Sequence, residues 1–259
     1  MERIFVRETA ESEPLYFIEK QKIGVVGMSR GAGATLLATS LAREFSCRDG
    51  RKVTFLEVCC NACKKTPLIY DSIGADKRFR TREFVRFYNE IKQGGGIRGK
   101  NNIDDRINWG LITPGDVKEE IQLTPLETVR LINNIPGDLI ICDISECGNA
   151  EDFLLDMDCV IVVIDPMPSR MIAGYPFMRE IKRLEHRGMK VIWLVNKFNP
   201  GINKKDMQDF LKLKEFCKIP FIPESNFYSA EYNCKIPYDL ADIRREMKET
   251  LEKVIGIIV

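Results

Sequence analysis

Short apolar runs alternate along this chain with longer segments in which apolar and polar residues are mixed. The runs are strand-sized and rich in β-branched residues, as in Val53–Val58, which is typical of strands that a parallel sheet buries on both faces. The mixed segments have helical spacing: in Ala34–Phe45, Leu37, Leu41 and Phe45 lie four residues apart on one helix face. The predicted strands are Lys22–Gly27, Val53–Val58, Asn108–Thr113, Asp138–Ile144, Cys159–Asp165, Lys190–Val195 and Lys218–Ile222. The predicted helices are Ala34–Phe45, Arg82–Lys92, Pro125–Asn133 (with Thr124 as N-cap), Met171–His186, Lys205–Phe216 and Leu240–Val254.

This order of elements predicts an α/β fold with a doubly wound, mostly parallel sheet and helices on both faces. We expect residues 22–259 to form one domain, because no linker, internal repeat or low-complexity tract divides them. Residues 1–21 are expected to be an N-terminal extension, which adds an edge strand if Ile4–Arg7 or Tyr16–Glu19 pairs with the sheet.

The composition narrows the class of protein. Apolar residues make up 44% of the 259 and charged residues 30%, which supports a sizeable core and argues against general disorder. The apolar runs fall short of the roughly 20 residues of a membrane-spanning helix, and the polar start does not resemble a secretory signal. Nine cysteines without such a signal predict free thiols and a cytoplasmic protein.

The net charge of +1 gives no global attraction to nucleic acid or anionic lipid, but two stretches are strongly biased. Between residues 77 and 100 eight residues are basic and two acidic, whereas 143–158 holds six acidic residues and no basic one. Two interpretations stay open: two solvated faces, or a pair of complementary surfaces within or between chains. The basic residues are Lys77, Arg78, Arg80, Arg82, Arg86, Lys92, Arg98 and Lys100, and the acidic ones are Asp143, Glu146, Glu151, Asp152, Asp156 and Asp158.

The segment MSRGAGAT, residues 28–35, has the layout of a phosphate-binding loop between a strand and a helix. Backbone N–H groups at such a helix N-terminus bind phosphate. Gly33 lets the backbone approach the ligand, and the Thr35 hydroxyl is suited to ligate magnesium. Ala34 stands where such loops carry lysine, so Arg30 is the loop's one cation. Together with the predicted sheet, this loop predicts a P-loop NTPase-like three-layer sandwich. Its candidate nucleotide-binding residues are Arg30, Gly31, Ala32, Gly33, Ala34 and Thr35.

With these motifs the chain resembles the ParA/MinD group of P-loop ATPases over about Lys22–Pro223. The family loop reads GKGGxGKT, and its third glycine, fourth glycine and threonine are matched here by residues 31, 33 and 35. Among the departures from the family, Ser29 stands at the signature lysine, Arg30 at a glycine and Ala34 at the P-loop lysine.

The resemblance also assigns roles outside the loop. The strand DLIICDIS resembles a Walker B strand, which implies that Asp143 is the magnesium-associated carboxylate. Asn196, in KVIWLVNKFN, is implied to contact the base, and Ile219–Pro223 to close the base pocket. Glu57-Val58-Cys59 stands where the family has Asp-x-Asp, so Cys59 replaces the aspartate that helps to position the attacking water.

These assignments imply a nucleotide-binding protein that takes ATP and Mg²⁺, with Thr35 and Asp143 on the metal side. The family pattern also implies a homodimer that acts in positioning or assembly through a protein, DNA or membrane partner, although the net charge favours neither DNA nor membrane. Because Ala34 and Cys59 replace catalytic residues, hydrolysis is expected to be weak or defective. GTP stays open, because Asn196 and Lys197 also resemble the guanine-binding motif, with Asn199 in place of its aspartate.

Two other hypotheses compete with this one. The chain could be a non-catalytic pseudo-ATPase scaffold, resembling pilus-locating relatives, that docks a protein partner through residues 77–100. It could also carry a metal or cluster on Cys60, Cys63 or Cys147, as the nitrogenase iron protein of the same group does, although a single C-x-x-C pair does not complete a four-thiolate site.

The lone histidine and the C-terminal helix have structural interpretations. His186 lies near a predicted helix end, and no nucleophile–histidine pair can be built around it. The stripe Ile243, Met247, Leu251, Val254 and Ile255 makes the C-terminal helix amphipathic. Since Glu246, Glu249 and Glu252 dilute the basic face that a membrane-binding helix requires, we expect this helix to pack on the sheet and not on a membrane.

Overall fold

The computed structural model describes residues 20–48, 50–59, 65–75, 84–97, 99–102, 106–144 and 151–259. Seven strands of this part form one parallel sheet. They are β1 Gln21–Gly27, β2 Val53–Val58, β3 Ile107–Gly110, β4 Leu139–Ile144, β5 Cys159–Ile164, β6 Val191–Phe198 and β7 Cys217–Pro220. Their order in the sheet is β3-β2-β4-β1-β5-β6-β7. The predicted α/β fold with a parallel sheet is confirmed.

Helices cover both faces of the sheet. They are α1 Ala34–Arg48, α2 Leu68–Ser72, α3 Phe87–Lys92, α4 Pro114–Lys118, α5 Pro125–Asn134, α6 Glu151–Leu154, α7 Pro168–His186, α8 Lys204–Leu211, α9 Glu224–Tyr232 and α10 Ala241–Ile258, with a 3₁₀ turn at Pro237–Asp239. Successive side chains of β1 enter opposite cores: Val25 packs in the cluster that includes α1 and α10, and Val26 in the one that includes α5 and α7. This alternation is what a doubly wound sheet requires.

Several predicted boundaries were wrong for local reasons. β3 ends at Gly110 and not at residue 113, because Thr113 begins α4: it forms a capping box with Asp116, and Pro114 follows it. The helix predicted from Arg82 begins at Phe87, since residues 84–86 are not helical. Thr124 caps α5 through a second capping box, as predicted.

The C-terminal helix was predicted shorter than it is. It extends to Ile258, and its apolar stripe is buried beside β7 and α1, which confirms the prediction that it packs on the sheet. No helix among the described residues has the length and apolar content to span a membrane. The predicted edge strands Ile4–Arg7 and Tyr16–Glu19 lie outside the described residues.

Candidate functional site

The glycine-rich loop lies between β1 and α1, at the carboxyl edge of the sheet. β1 pairs with β4 on one side and β5 on the other, so the chain reverses its direction of winding here. Ligands of open α/β sheets bind at such a point. Gly31 and Gly33 have φ values of +76° and +99°, which favour glycine. The Gly33 carbonyl accepts the first helical hydrogen bond, from Leu37 N–H at 3.1 Å, so the loop ends at the N-terminus of α1.

Asn196, near the end of β6, is hydrogen-bonded to this loop through its side chain. Its side-chain amide donates to the Ala32 carbonyl at 2.8 Å, and its amide oxygen accepts from Lys197 N–H at 2.8 Å. A Cβ at Gly33 would overlap the Asn196 amide nitrogen. Asn196 is buried, so in this structure it fixes the loop conformation, while the base contact implied by the resemblance stays a prediction.

Lys197, the next residue, is also hydrogen-bonded to this loop. Its ammonium donates to the Gly31 carbonyl at 3.0 Å and to Asp165 Oδ2, after β5, at 2.7 Å. Lys197 has a φ of +55°, a left-handed conformation within β6, where the pairing of β6 with β7 shifts in register. The loop is therefore tied to the ends of both β5 and β6.

Thr35 and Asp143 join α1 to the end of β4. The Thr35 hydroxyl donates to Asp143 Oδ2 at 2.7 Å, across 108 residues of sequence. The other oxygen, Asp143 Oδ1, is buried and accepts no hydrogen bond from the part of the chain that the structure describes. A hydroxyl beside a carboxylate oxygen with spare acceptor capacity is a donor set that suits Mg²⁺, so these residues fit the ion that the resemblance implies.

A second buried carboxylate adjoins Asp143. Glu57 pairs with Asp143 in the register of β2 and β4, and its Oε2 accepts from Ile112 N–H at 2.8 Å. Lys65 reaches Glu57 Oε1 with its ammonium at 3.0 Å. Burial raises the pKa of the Asp143 carboxyl, and the Lys65 charge and the Thr35 hydrogen bond oppose that shift. Burial would lower the pKa of Lys65, but Glu57 and Asp143 outweigh it and raise that pKa, so Lys65 is held as a cation.

The structure thus brings the predicted residues Gly31–Thr35, Asp143 and Asn196 together around one loop. Arg30 is exposed at its tip, and Ala34 is the first residue of α1. Cys59, at the position of the second family aspartate, is buried, and its N–H donates to the Tyr88 hydroxyl at 2.9 Å.

Sequence reasoning missed the contacts of four charged groups of this site: Glu57 as a buried acid with its partner Lys65, and the ion pair of Lys197 with Asp165. Glu57 and Asp165 were detectable, because each lies at or just after the end of a buried apolar run, where the carboxyl ends of parallel strands meet. Lys65 follows no such pattern. The side chain of Asn199, considered above for guanine recognition, stabilises a local turn. It donates to the Lys197 carbonyl and accepts from Gly201 N–H, both at 2.9 Å.

Several described members of the two charged stretches make internal contacts. Arg86 pairs with Asp116 and Glu119, and Lys92 with Glu127. Asp156 and Asp158 both bind Lys22, through an ion pair at 3.0 Å and a backbone hydrogen bond at 2.7 Å. Lys100 is exposed, while the basic residues Lys77, Arg78, Arg80, Arg82 and Arg98, and Glu146 of the acidic stretch, lie outside the described residues.

The cysteines proposed for a metal or cluster, Cys60, Cys63 and Cys147, also lie outside the described residues. Within the described ranges, no group of three or more histidine, cysteine or acidic side chains is arranged to hold a metal. The described cysteines are free thiols, as predicted, and burial raises the pKa of Cys159 to about 11, so this thiol is unreactive.

No family model and no curated protein matches this chain. Solved structures do. A plasmid partition protein from Borrelia burgdorferi bound to AMPPNP has 17% identity and a TM-score of 0.69, over 92% of this chain and 98% of its own. A ParA family ATPase from Chlorobium tepidum has 14% identity and a TM-score of 0.66, over 92% and 98%. MinD from Pyrococcus horikoshii, complexed with Mg-ADP, has 14% identity and a TM-score of 0.64, over 93% and 99%. The chain therefore has the fold of the ParA and MinD ATPases over nearly its whole length.

Proposed function

We propose that this chain is a divergent ParA/MinD-type protein that binds ATP with Mg²⁺ and hydrolyses it slowly or not at all. The observation that carries the proposal is the Thr35–Asp143 hydrogen bond of 2.7 Å beside the loop of Gly31 and Gly33. It joins an anion-binding helix N-terminus to a carboxylate on the metal side. Two proteins with the same fold are described with a nucleotide, AMPPNP and Mg-ADP respectively.

Each residue has a defined role in this proposal. The N–H groups of residues 31–35 bind the phosphates, because they lie at the N-terminus of α1 with its positive dipole end. Thr35 and Asp143 hold Mg²⁺, which supplies positive charge against the phosphates. Asn196 and Lys197 keep the loop in shape by binding the carbonyls of Ala32 and Gly31.

Slow hydrolysis follows from two substitutions. Phosphoryl transfer depends on positioning and on stabilising charge in the transition state. Ala34 brings no charge, and Cys59 is buried and bound through its backbone to Tyr88. Each loss should lower the rate by about 10²–10³-fold, as loss of a comparable stabilising group does in other enzymes.

The choice of ATP over GTP is supported by Asn199. A guanine-binding site needs a carboxylate at this position to accept from the base. Here the position holds an amide, and both of its polar atoms are engaged in a turn with Lys197 and Gly201.

We also propose that the protein acts as a homodimer and through a protein partner, the latter contacting residues 77–100. Exposed apolar side chains beside the loop support a self-association surface: Met167, Ile172, Phe210 and Phe221 are between 39% and 63% exposed and line one cavity of about 590 Å³. Apolar patches of this kind mark interaction sites. Reversing the charges of Arg78, Arg80 and Arg82 should abolish the partner contact, and an unchanged pull-down would contradict this part.

The second candidate is a pseudo-ATPase scaffold that binds no nucleotide, and the observation that favours it is Ala34 at the lysine position. Titration with ATP and with GTP, each with Mg²⁺, followed by a phosphate-release assay, separates the two. If the chain is a slow ATPase, we expect saturable ATP binding, weaker GTP binding and slow turnover. The double variant Ala34→Lys/Cys59→Asp should then hydrolyse ATP faster. Absence of binding at millimolar ATP, with binding in Ala34→Lys, would favour the scaffold.

A further inference from the structure

The phosphate loop lacks an ammonium group at its usual place, but another ammonium lies at the same edge of the sheet. Ala34 ends in a methyl group, and Arg30 at the loop tip is exposed. Lys65, from the segment between β2 and α2, extends to the carboxyl edge of the sheet, where its ammonium is 3.0 Å from Glu57 Oε1. This lysine belongs to no recognised motif of the chain.

The contacts of Lys65 place it on the metal side of the loop. Glu57 and Asp143 are neighbours in the register of β2 and β4, and Asp143 accepts the Thr35 hydrogen bond at 2.7 Å. Lys65 interacts electrostatically with both acids. A chain of three contacts therefore connects its ammonium to the first turn of α1, where phosphates bind.

The charges of this cluster are unbalanced in a way that suits a further cation. Two buried carboxylates face one ammonium, and Asp143 Oδ1 accepts no hydrogen bond from a described residue. The ion pair of Lys65 is with Glu57, which leaves Asp143 available to Mg²⁺. The Lys65 side chain is 20% exposed, whereas that of Glu57 is 1% exposed, so Lys65 is the more accessible member of this ion pair.

We propose that Lys65 supplies the positive charge that the loop lacks at Ala34 and contacts the phosphate groups of the bound nucleotide. This inference rests on the proposed function. A lysine ammonium is a compact point charge on a flexible four-carbon stem, so a lysine from a different part of the chain can contact a phosphate at this loop. Lys65 remains beside Glu57 in this role, and Glu57 positions it.

The test is equilibrium titration with a fluorescent ATP analogue in Mg²⁺ at fixed ionic strength. Lys65→Met should weaken binding by about 10- to 100-fold, as loss of a charged hydrogen bond does. The matched control Lys118→Met removes an exposed lysine of α4 and should leave the affinity unchanged. Ala34→Lys should raise the affinity much more in the Lys65→Met background than in the unmodified protein, whereas equal gains in the two backgrounds would mean that Lys65 supplies no charge to the site.

Lys65→Met leaves Glu57 buried without its partner and could unfold the protein. The double variant Lys65→Met/Glu57→Gln removes both charges, and its folding is checked by urea denaturation. It should bind ATP as weakly as the single variant. Unchanged affinity in either folded variant would overturn the role of Lys65 while the proposed function stands. Failure of the unmodified protein to bind millimolar ATP would overturn both.

Discussion

The side-chain amide of Asn196 donates a hydrogen bond of 2.8 Å to the carbonyl of Ala32, and so joins the end of β6 to the middle of the phosphate loop. The residue that follows Ala32 has no room for a side chain, because a Cβ at Gly33 would overlap that same amide. The strand that the family resemblance associates with the base therefore also fixes the conformation of the glycine-rich loop.

Gly33→Ala should both strain the loop and displace Asn196. Gly33 has a φ of +99°, and the strain alone should cost about 1–3 kcal/mol of the free energy of unfolding. Gly31→Ala is the matched control: its φ is +76°, but its Cβ would meet no atom within 4 Å, so only strain applies. Urea denaturation measures the free energy of unfolding of both variants, and ATP titration measures their affinity. Equal losses in the two variants would contradict the role given to Asn196.

Gly174→Ala should disturb the start of the loop from the side of α7. A Cβ at Gly174 would overlap the Met28 carbonyl oxygen and lie 2.7 Å from Met28 Cγ. We expect reduced stability and weaker ATP binding, because Met28 is the first residue after β1. Gly256→Ala, in an open position of α10, should instead stabilise the protein by about 0.5–1 kcal/mol. Thermal unfolding compares them, and a stable Gly174→Ala variant with full binding would refute this contact.

Thr35→Ala should make ATP binding insensitive to Mg²⁺. The hydroxyl is the group that donates to Asp143 Oδ2, and Asp143→Asn should have the same effect. We expect about a tenfold loss of affinity in Mg²⁺ and little change in EDTA. Thr35→Ser keeps the hydroxyl and serves as the control. If Thr35→Ala still responds to Mg²⁺ as the unmodified protein does, these residues do not hold the ion.

The pH dependence of stability should reveal a contact between α1 and the 3₁₀ turn. Glu44 accepts from the Tyr238 hydroxyl and from Arg48, both at 2.7 Å. Burial would raise the pKa of Glu44, but these hydrogen bonds outweigh it and lower that pKa. A carboxyl with a lowered pKa adds stability above its unfolded pKa of about 4.3, and this stability is lost as the pH falls through the folded value.

Tyr238→Phe should therefore cost about 1.5 kcal/mol at neutral pH, and the difference from the unmodified protein should shrink below about pH 4. Tyr228→Phe is the control, since Tyr228 is 63% exposed. Urea denaturation across this pH range measures both variants. If the difference in free energy of unfolding between Tyr238→Phe and the unmodified protein stays constant down to acid pH, the effect of this variant does not come from its hydrogen bond to ionised Glu44.

The order of elements was predictable because buried parallel strands give apolar runs and the helices between them keep a regular apolar stripe. α9 was not predicted, since among its side chains only Ala230 is buried, and a helix without an apolar stripe leaves no periodic signal. The end of β3 was misplaced because the capping box at Thr113 competes with the strand.

The candidate site was predictable where its residues are consecutive or end an apolar run, as at Gly31–Thr35 and Asp143. Lys65 and Lys197 were not assigned their contacts, because the distances from Lys65 to Glu57 and from Lys197 to Gly31 are set by tertiary packing. No spacing in the sequence encodes which carboxylate or carbonyl a long side chain will reach.

The central claim is that the backbone amides of residues 31–35 bind the phosphates of a nucleotide. The most direct measurement is an NMR titration of the ¹⁵N-labelled protein with Mg-ATP, following the amide signals of Gly31, Gly33 and Thr35. We predict saturable shifts at these amides and at the neighbouring Asp143, all with one dissociation constant. Unchanged signals at millimolar Mg-ATP, or shifts confined to another part of the protein, would contradict the account.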